Sequence, residues 1–245
     1  MNKMLKTFLG GALLVSSLSA DMTRIEMGAG MWAQSPSGSI TTSDTSGALS
    51  LDGTYASNGN SSTEAYMWMF IKHPVPMLPN LRLEYVTLSD SGVTTGKVNG
   101  ATVSSNPTTL DMTQIDFIPY YNLLDNTGWL TLDLGLDFKI ISTDAEVKGV
   151  YSGSETGVIP LLYVRTRAEI PATNVGLESD IKFITDGDTI VYDARAKVDY
   201  TFDITPVIQG GVELGYRIQK FDINADDTNG VLDYSGVYAG ATVRF

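Results

Sequence analysis

Apolar and polar residues alternate with a period of two along most of the chain. Between residues 130 and 140 the even positions are Leu, Phe or Ile, whereas the odd positions are Thr, Asp, Gly, Asp and Lys. Such alternation is typical of β-strands whose two faces meet different surroundings. It predicts ten strands, near residues 22–34, 63–73, 80–90, 110–121, 128–141, 157–170, 175–184, 189–203, 207–220 and 232–245.

The connections between the predicted strands fall into two classes. Those after the second, fourth, sixth and eighth strands are short and contain the Pro, Asn or Asp residues of turns. Most of the others are long and polar; the longest covers residues 35–62, and the link at 186–188 is a short exception. Long loops on one rim and short turns on the other are typical of membrane barrels. The sequence therefore predicts an all-β fold, a single transmembrane antiparallel up-and-down β-barrel of about ten strands with periplasmic termini.

Residues 1–20 have the pattern of a secretory signal peptide. Lys3 and Lys6 precede the apolar run at 8–15, and small residues occupy most of positions 16–20. We therefore expect a signal peptide over residues 1–20 and an outer-membrane barrel over residues 21–245. No later apolar run is long enough for a transmembrane helix. Because the chain has no Cys, disulfides do not stabilise the barrel.

The basic residues of the strands indicate which face lines the lumen. A Lys or Arg that faces lipid at the bilayer midplane costs about 2–4 kcal/mol, so the polar face should point inward, where acidic residues can pair with it. A hairpin centred on residues 186 and 187 places Glu178 opposite Arg195. The network either plugs the barrel or lines a narrow path for ions or solutes. The predicted lumen charge network comprises Arg24, Glu26, Arg82, Glu84, Asp133, Asp137, Lys139, Arg165, Arg167, Glu169, Glu178, Asp180, Lys182, Arg195, Lys197, Asp199, Glu213, Arg217 and Arg244.

Aromatic residues on the opposite face are expected to form the girdles that flank the lipid-facing band of such barrels. In the run at residues 66–70 the aromatic rings are expected to face lipid, with Met67 and Met69 filling the lumen. The predicted girdle comprises Tyr66, Trp68, Phe70, Tyr192, Tyr200, Phe202 and Phe245.

Candidate catalytic or metal-binding residues are few. The single histidine, His73, stands beside Pro74, Pro76 and Pro79 in the first short connection. These residues predict a periplasmic turn, at the end of the barrel away from the outer leaflet. A histidine there is at the wrong end for a catalyst of the outer leaflet, so we expect no enzyme. The acidic segment at 222–233 has the spacing of a calcium loop in part, but it lacks the glycine and the flanking helices that such a loop needs. We expect no metal and no cofactor.

The turn sequence at residues 73–80 and the segment at 81–85 that follows it resemble a family of small outer-membrane β-barrels from Gram-negative bacteria with no assigned activity. The similarity extends to residues 28–32, 120–126 and 132–136. The resemblance implies a single barrel in the outer membrane and supplies no substrate or catalytic residue. The final Phe245 and its alternating apolar neighbours look like the signal that the barrel-assembly machinery reads.

The formal net charge of −12 argues against nucleic acid as a partner. The expected partners are outer-membrane lipid, lipopolysaccharide and, through the last strand, the barrel-assembly machinery. Two functions of different classes follow from the sequence: a structural barrel or narrow passive channel with an ion-paired lumen, and a surface-binding protein that uses long acidic extracellular loops. An outer-leaflet lipid-modifying enzyme is a third hypothesis.

Overall fold

The computed structural model describes residues 24–43, 51–75, 77–127, 129–225 and 227–245. The expected signal peptide and Pro76 lie outside these residues. No helix in this part of the chain is long and apolar enough to cross a membrane. The described residues form eleven strands: β1 (Arg24–Thr42), β2 (Leu51–Ser57), β3 (Ser62–Lys72), β4 (Asn80–Val98), β5 (Ala101–Thr127), β6 (Leu130–Val147), β7 (Tyr151–Glu169), β8 (Val175–Thr185), β9 (Ile190–Thr205), β10 (Ile208–Ala225) and β11 (Thr228–Arg244).

The eleven strands close into a barrel with ten positions. Apart from β2 and β3, neighbours in the chain pair antiparallel, and β11 returns to pair with β1, from Glu26 opposite Arg244 to Thr42 opposite Thr228. Strands β2 and β3 lie one after the other between β1 and β4. They are separated by residues 58–61, where Gly59 has a positive φ of 69°. The prediction of a single antiparallel up-and-down barrel of about ten strands is confirmed.

The strands at one end of the barrel are much longer than the sequence predicts. We call this the distal end, and the end that carries Arg24 and Phe245 the terminal end. Segments expected to be long loops continue the strands instead: β4 ends at Val98 and β5 begins at Ala101, joined by Asn99 and Gly100, both with positive φ. The prediction failed because these segments lie beyond the apolar belt. Without lipid on one side, both faces of a strand can be polar, and the alternation disappears.

Within the apolar belt, the apolar side chains of most strands face outward and the charged side chains face the inside of the barrel. On β6, Leu136 is 52% and Phe138 40% exposed, whereas Asp133 and Asp137 are fully buried inside the ring. A soluble barrel turns its apolar face inward, but a barrel that crosses a bilayer turns it to lipid. The apolar belt and the charged interior therefore define the chain as an integral membrane β-barrel.

The predicted aromatic girdle is wrong in β3. Tyr66, Trp68 and Phe70 point into the barrel and are buried, whereas Met67 is 51% exposed on the outer surface. The space that admits the rings comes from β1, where Gly28 lies opposite Trp68 and Gly30 opposite Tyr66. The remaining girdle residues keep to the outside: Tyr200, Phe202 and Phe245 are exposed and Tyr192 is half-buried.

Candidate functional site in the barrel lumen

Strand register brings the inward charges of neighbouring strands side by side. Across β7 and β8, Arg167 lies opposite Glu178 and Arg165 opposite Asp180. Across β8 and β9, Glu178 lies opposite Lys197, and not opposite Arg195 as the hairpin prediction has it. The difference arises because the connecting turn is centred on residues 187 and 188, with Thr185 opposite Ile190. Each carboxylate nevertheless meets a basic neighbour of opposite sign.

The middle of the lumen holds a continuous set of ion pairs, which we call the central ion-pair layer. The Lys182 ammonium lies 2.5 Å from carboxylate oxygens of both Glu84 and Asp116, and that of Lys139 lies 2.7 Å from Asp116. Asp193 accepts a hydrogen bond of 2.5 Å from Arg217. The layer comprises Arg82, Glu84, Asp116, Lys139, Asp180, Lys182, Asp193, Arg195 and Arg217, with Arg82 paired to Glu84 and Asp180 and Arg195 paired to Asp180.

Asp116 and Asp193 are central members of the layer; the sequence places Asp193 on the inward polar face of its strand, whereas the predicted network omits Asp116. Asp116 accepts from two lysines, and Asp193 contacts Lys139, Lys182 and Arg217. Asp193 lies two and four residues before Arg195 and Lys197 on the same strand, and therefore on the same face. Asp116 is harder to place, because its inward neighbours Met112 and Ile118 are apolar and buried.

Three carboxylates of this layer are close enough to hold a metal ion. Oxygens of Glu84, Asp116 and Asp193 lie within 4.8 Å of one another. The Lys182 ammonium, however, is within hydrogen-bond distance of all three, at 2.5, 2.5 and 3.4 Å. A lysine therefore supplies the positive charge that a metal ion would otherwise bring to this cluster.

Towards the terminal end the pairs are built on arginine. Arg165 donates to Asp133 at 2.7 Å and to Glu178 at 2.6 Å, and Arg167 donates to Asp199 at 2.6 Å. Lys197 lies 2.7 Å from Glu213. Because charge-assisted bonds of this length are the strong ones, they hold the walls of the narrow barrel at fixed positions.

The inward aromatic rings belong to the same network. Phe70 lies between two guanidinium groups, with Arg165 at 4.5 Å and Arg82 at 4.7 Å from its ring centre. The Tyr66 hydroxyl and the Trp68 indole N–H both donate to Glu213, at 2.8 and 3.0 Å. Cation–π contacts strengthen when they are desolvated, so these rings stabilise the buried charges while they fill the lumen.

Asp137 is the exception among the buried charges. Its side chain is fully buried, yet neither carboxylate oxygen has a hydrogen-bond partner in the structure. Its neighbour across β7 is the apolar Leu161. A buried carboxylate without a partner is costly, so a charge on Asp137 lowers the stability of the barrel.

Beyond the central layer, the distal part of the lumen is mainly apolar, although the buried side chains of Gln34 and Asp90 lie beside Leu88. Inward residues of seven strands pack there into what we call the distal apolar cluster. The period-two pattern does not by itself predict this cluster. Its signal is an apolar residue two positions from a lumen charge, and therefore on the same face, such as Val191 beside Asp193. The cluster includes Leu88, Met112, Ile141, Leu161, Val191, Phe221 and Leu232.

The terminal end of the lumen is open and polar, and we call it the terminal vestibule. Cavities of about 190 and 170 Å³ adjoin there, with Arg167 and Glu169 in the walls of both. At the rim, Arg24 lies 2.6 Å from Glu26, and Arg244 contacts the same carboxylate at 3.2 Å. The outermost members of the predicted network therefore surround a vestibule, whereas the inner members fill the barrel.

His73 is bonded within its own turn at the terminal end. Its Nε2 donates to the Pro79 carbonyl at 3.0 Å, and its Nδ1 accepts from the Val75 backbone N–H at 3.2 Å. The backbone N–H of His73 in turn donates to Asn80 at 3.2 Å. Both ring nitrogens thus hold the turn that joins β3 to β4.

Comparison with known proteins gives similarity of fold alone. No protein-family model matches the sequence, and no curated protein is similar to it in sequence. The chain is similar to the outer membrane protease OmpT from Escherichia coli, at 11% identity and a TM-score of 0.46, over 93% of this chain and 97% of that one. It is also similar to the translocator domain of the autotransporter NalP from Neisseria meningitidis (13%, TM-score 0.40, 96% and 95%) and to the outer membrane protein OprG from Pseudomonas aeruginosa (11%, TM-score 0.35, 93% and 98%).

Proposed function

We propose that this protein is a structural barrel of the Gram-negative outer membrane, with its termini in the periplasm and a lumen that does not conduct. The observation that carries the proposal is the filling of the barrel at mid-height. Arg82, Lys139 and Lys182 are long, charged and at most 1% exposed, although they point into the space where a pore would run. Of the two alternatives that the sequence leaves open, this supports the plug.

Two successive barriers support a closed lumen. An ion that entered the central layer would have to separate pairs such as Lys182 with Asp116, and breaking a buried pair costs about 3–5 kcal/mol. It would then meet the distal apolar cluster, where only a few buried polar groups such as Gln34 and Asp90 could replace its water, and hydrophobic constrictions close pores by dewetting.

Planar-bilayer recording of the refolded protein tests this proposal. Insertion is verified by heat-modifiable gel migration, and a general porin in the same bilayer serves as the positive control. We expect no unitary conductance steps from the wild-type protein. Reproducible steps whose size changes in the Lys182→Gln variant would overturn the closed-lumen proposal in favour of a passive channel.

A second function is favoured by the distal strand extensions. About 9–11 residues of a tilted strand suffice to cross a bilayer, whereas β4 and β7 have 19 residues each. The projecting part carries exposed acidic residues, including Asp144, Glu146 and Asp188. We propose that this surface contacts lipopolysaccharide through divalent cations. Binding of purified lipopolysaccharide with Mg²⁺, lost in a combined Asp144→Asn and Glu146→Gln variant, would support it; equal binding by both proteins would oppose it.

We assign no enzymatic activity to the protein. His73, the residue on which an acid–base mechanism would depend, has both ring nitrogens engaged in its turn. The carboxylates of the central ion-pair layer are paired with basic side chains, and Asp137 is buried away from solvent. If the His73→Ala variant lost a lipid- or peptide-cleaving activity that the wild-type protein possessed, this assignment would be wrong.

A further inference from the structure

The terminal vestibule combines open volume with an unusual balance of charge. The larger cavity, of about 190 Å³, is lined by four basic side chains (Arg24, Lys72, Arg165 and Arg167) and only two carboxylates (Glu26 and Glu169). The whole chain has the opposite balance, with 16 basic and 28 acidic residues. Basic side chains therefore outnumber carboxylates in the lining of this cavity, which is large enough for a small molecule, while Asp133, Glu178 and Asp199 pair with Arg165 and Arg167 from behind the lining.

Two arginines of this cavity each have one nitrogen without a hydrogen-bond partner. Arg165 is more than nine-tenths buried, and its Nη atoms bond Asp133 and Glu178, but its Nε has no partner in the structure. The Nε of Arg24 is also buried without a partner. An unsatisfied buried donor costs about 1–3 kcal/mol, and a side-chain rotation that turned either Nε towards the cavity would let an oxygen atom of a bound anion satisfy it.

Glu26 already accepts hydrogen bonds from basic side chains at this end of the lumen. Two arginines from opposite ends of the chain bond it, Arg24 at 2.6 Å and Arg244 at 3.2 Å through both Nε and Nη2. Guanidinium groups recognise carboxylates and phosphates in the same planar, bidentate manner. Glu26 therefore shows the chemistry that these arginines accept and would compete with an incoming ligand for them.

We propose that the terminal vestibule is a binding site for a small anion that bears a carboxylate or a phosphate group, held by Arg24, Arg165 and Arg167. The Phe70 ring stacks on Arg165 at 4.5 Å and fixes the guanidinium plane at the cavity wall. The site opens only at the terminal end, because the central ion-pair layer closes the lumen behind it. The single opening rests on the proposed closed lumen, whereas the binding of the anion does not, since Arg24, Arg165 and Arg167 lie on the terminal side of the central ion-pair layer.

Titration calorimetry of the refolded protein in detergent micelles tests the site, with succinate and inorganic phosphate as separate probes. We expect saturable binding of at least one probe, with a Kd of about 1 mM or tighter. The Arg24→Gln variant should weaken binding about tenfold, as loss of one charge-assisted contact predicts. Glu26→Gln should strengthen it, because it removes the internal competitor. The probe that binds identifies the ligand as a carboxylate or a phosphate.

Lys97→Gln is the matched control, because it removes one positive charge at the exposed distal end. Heat-modifiable migration must be the same in all variants. The proposal is overturned if neither probe gives saturable heat, if Arg24→Gln binds as tightly as the wild type, or if Lys97→Gln weakens binding equally. Tighter binding by Glu26→Gln cannot arise from a purely structural role of these residues.

Discussion

Asp137 differs from its neighbours because it has no partner in a lumen that is otherwise paired. The removal of one member of a buried pair leaves an uncompensated charge, whereas the removal of an already unpaired charge relieves one. Asp137 and Asp193 are both buried carboxylates close to mid-height, but only Asp193 has partners, among them Arg217 and Lys139. They form a natural comparison.

We predict that Asp193→Asn lowers the free energy of unfolding by about 3–5 kcal/mol, and that Asp137→Asn leaves it unchanged or raises it by about 1 kcal/mol. Urea unfolding in lipid vesicles, followed by tryptophan fluorescence, measures both. An equal loss in the two variants would show that Asp137 has a partner in the folded barrel.

The orientation of Trp68 is also decided at the scale of single residues. The lumen binds its indole through Glu213 and Lys197, at 3.0 and 4.6 Å, whereas Met67 beside it faces outward. The sequence does indicate the inward orientation, because Glu64 and Lys72 are charged and lie on the same strand face as Tyr66 and Trp68. The apolar character of the rings conceals that signal, since large rings suit both a lipid belt and a narrow lumen.

We predict that lipids brominated on their acyl chains do not quench a protein whose only tryptophan is Trp68. Its counterpart, with Met67→Trp and Trp68→Phe as the only difference, should be strongly quenched, because residue 67 contacts lipid. Both proteins have Trp32 and Trp129 replaced by Phe. Quenching of Trp68 equal to that of the residue-67 tryptophan would place the β3 aromatic residues back in the girdle.

At the scale of elements, strand register depends on features that the alternation does not contain. The turn between β8 and β9 is set by Asp186, whose carboxylate accepts from the backbone N–H groups of Thr189 and Asp188 at 2.8 and 3.2 Å. These bonds lower the pKa of the carboxyl group. The turn moves the pairing by two residues, which exchanges Arg195 for Lys197 opposite Glu178 without changing which face points inward.

The β1–β3 contact depends on a close approach of a glycine to a ring. A Cβ atom at Gly28 would lie 2.6 Å from the Trp68 indole, and the ring cannot move away because Glu213 and Lys197 hold it. We predict that Gly28→Val destabilises the barrel by about 1–3 kcal/mol or more, as overpacking does. Ala29→Val, on the outer face, should be nearly neutral. Urea midpoints measure both, and equal midpoints for the two variants would contradict the close packing.

At the scale of the whole molecule, closure of the ring is the decisive event. Strand β11 must find β1, more than 200 residues away, because an open strand edge is not tolerated in lipid. The last residue contributes directly, since Ile25 and Phe245 exchange backbone hydrogen bonds of 2.9 and 3.4 Å. The Phe245 side chain lies outside the barrel, away from the lumen network.

We predict that deletion of Phe245 reduces the fraction of assembled barrel in cells much more than the yield of refolding in detergent. The lumen network remains complete, whereas the residue that we expect the barrel-assembly machinery to read is lost. The heat-modifiable fraction on gels measures both, and Phe202→Ala, which removes an exposed ring elsewhere, is the control. Normal assembly in cells without Phe245 would contradict the role of the terminal residue.

The sequence by itself determined the fold class, the ring of about ten strands and, except in β3, the face on which each belt strand carries its charges. Lipid imposes these features residue by residue, since a charge on the outer face costs free energy wherever it occurs. Whether the lumen is filled, where it turns apolar and where it opens depend on side chains that meet across the barrel from strands far apart in the chain. Only the tertiary structure decided these: Lys182 against Asp116, Trp68 against Glu213, and the arginines around the terminal vestibule.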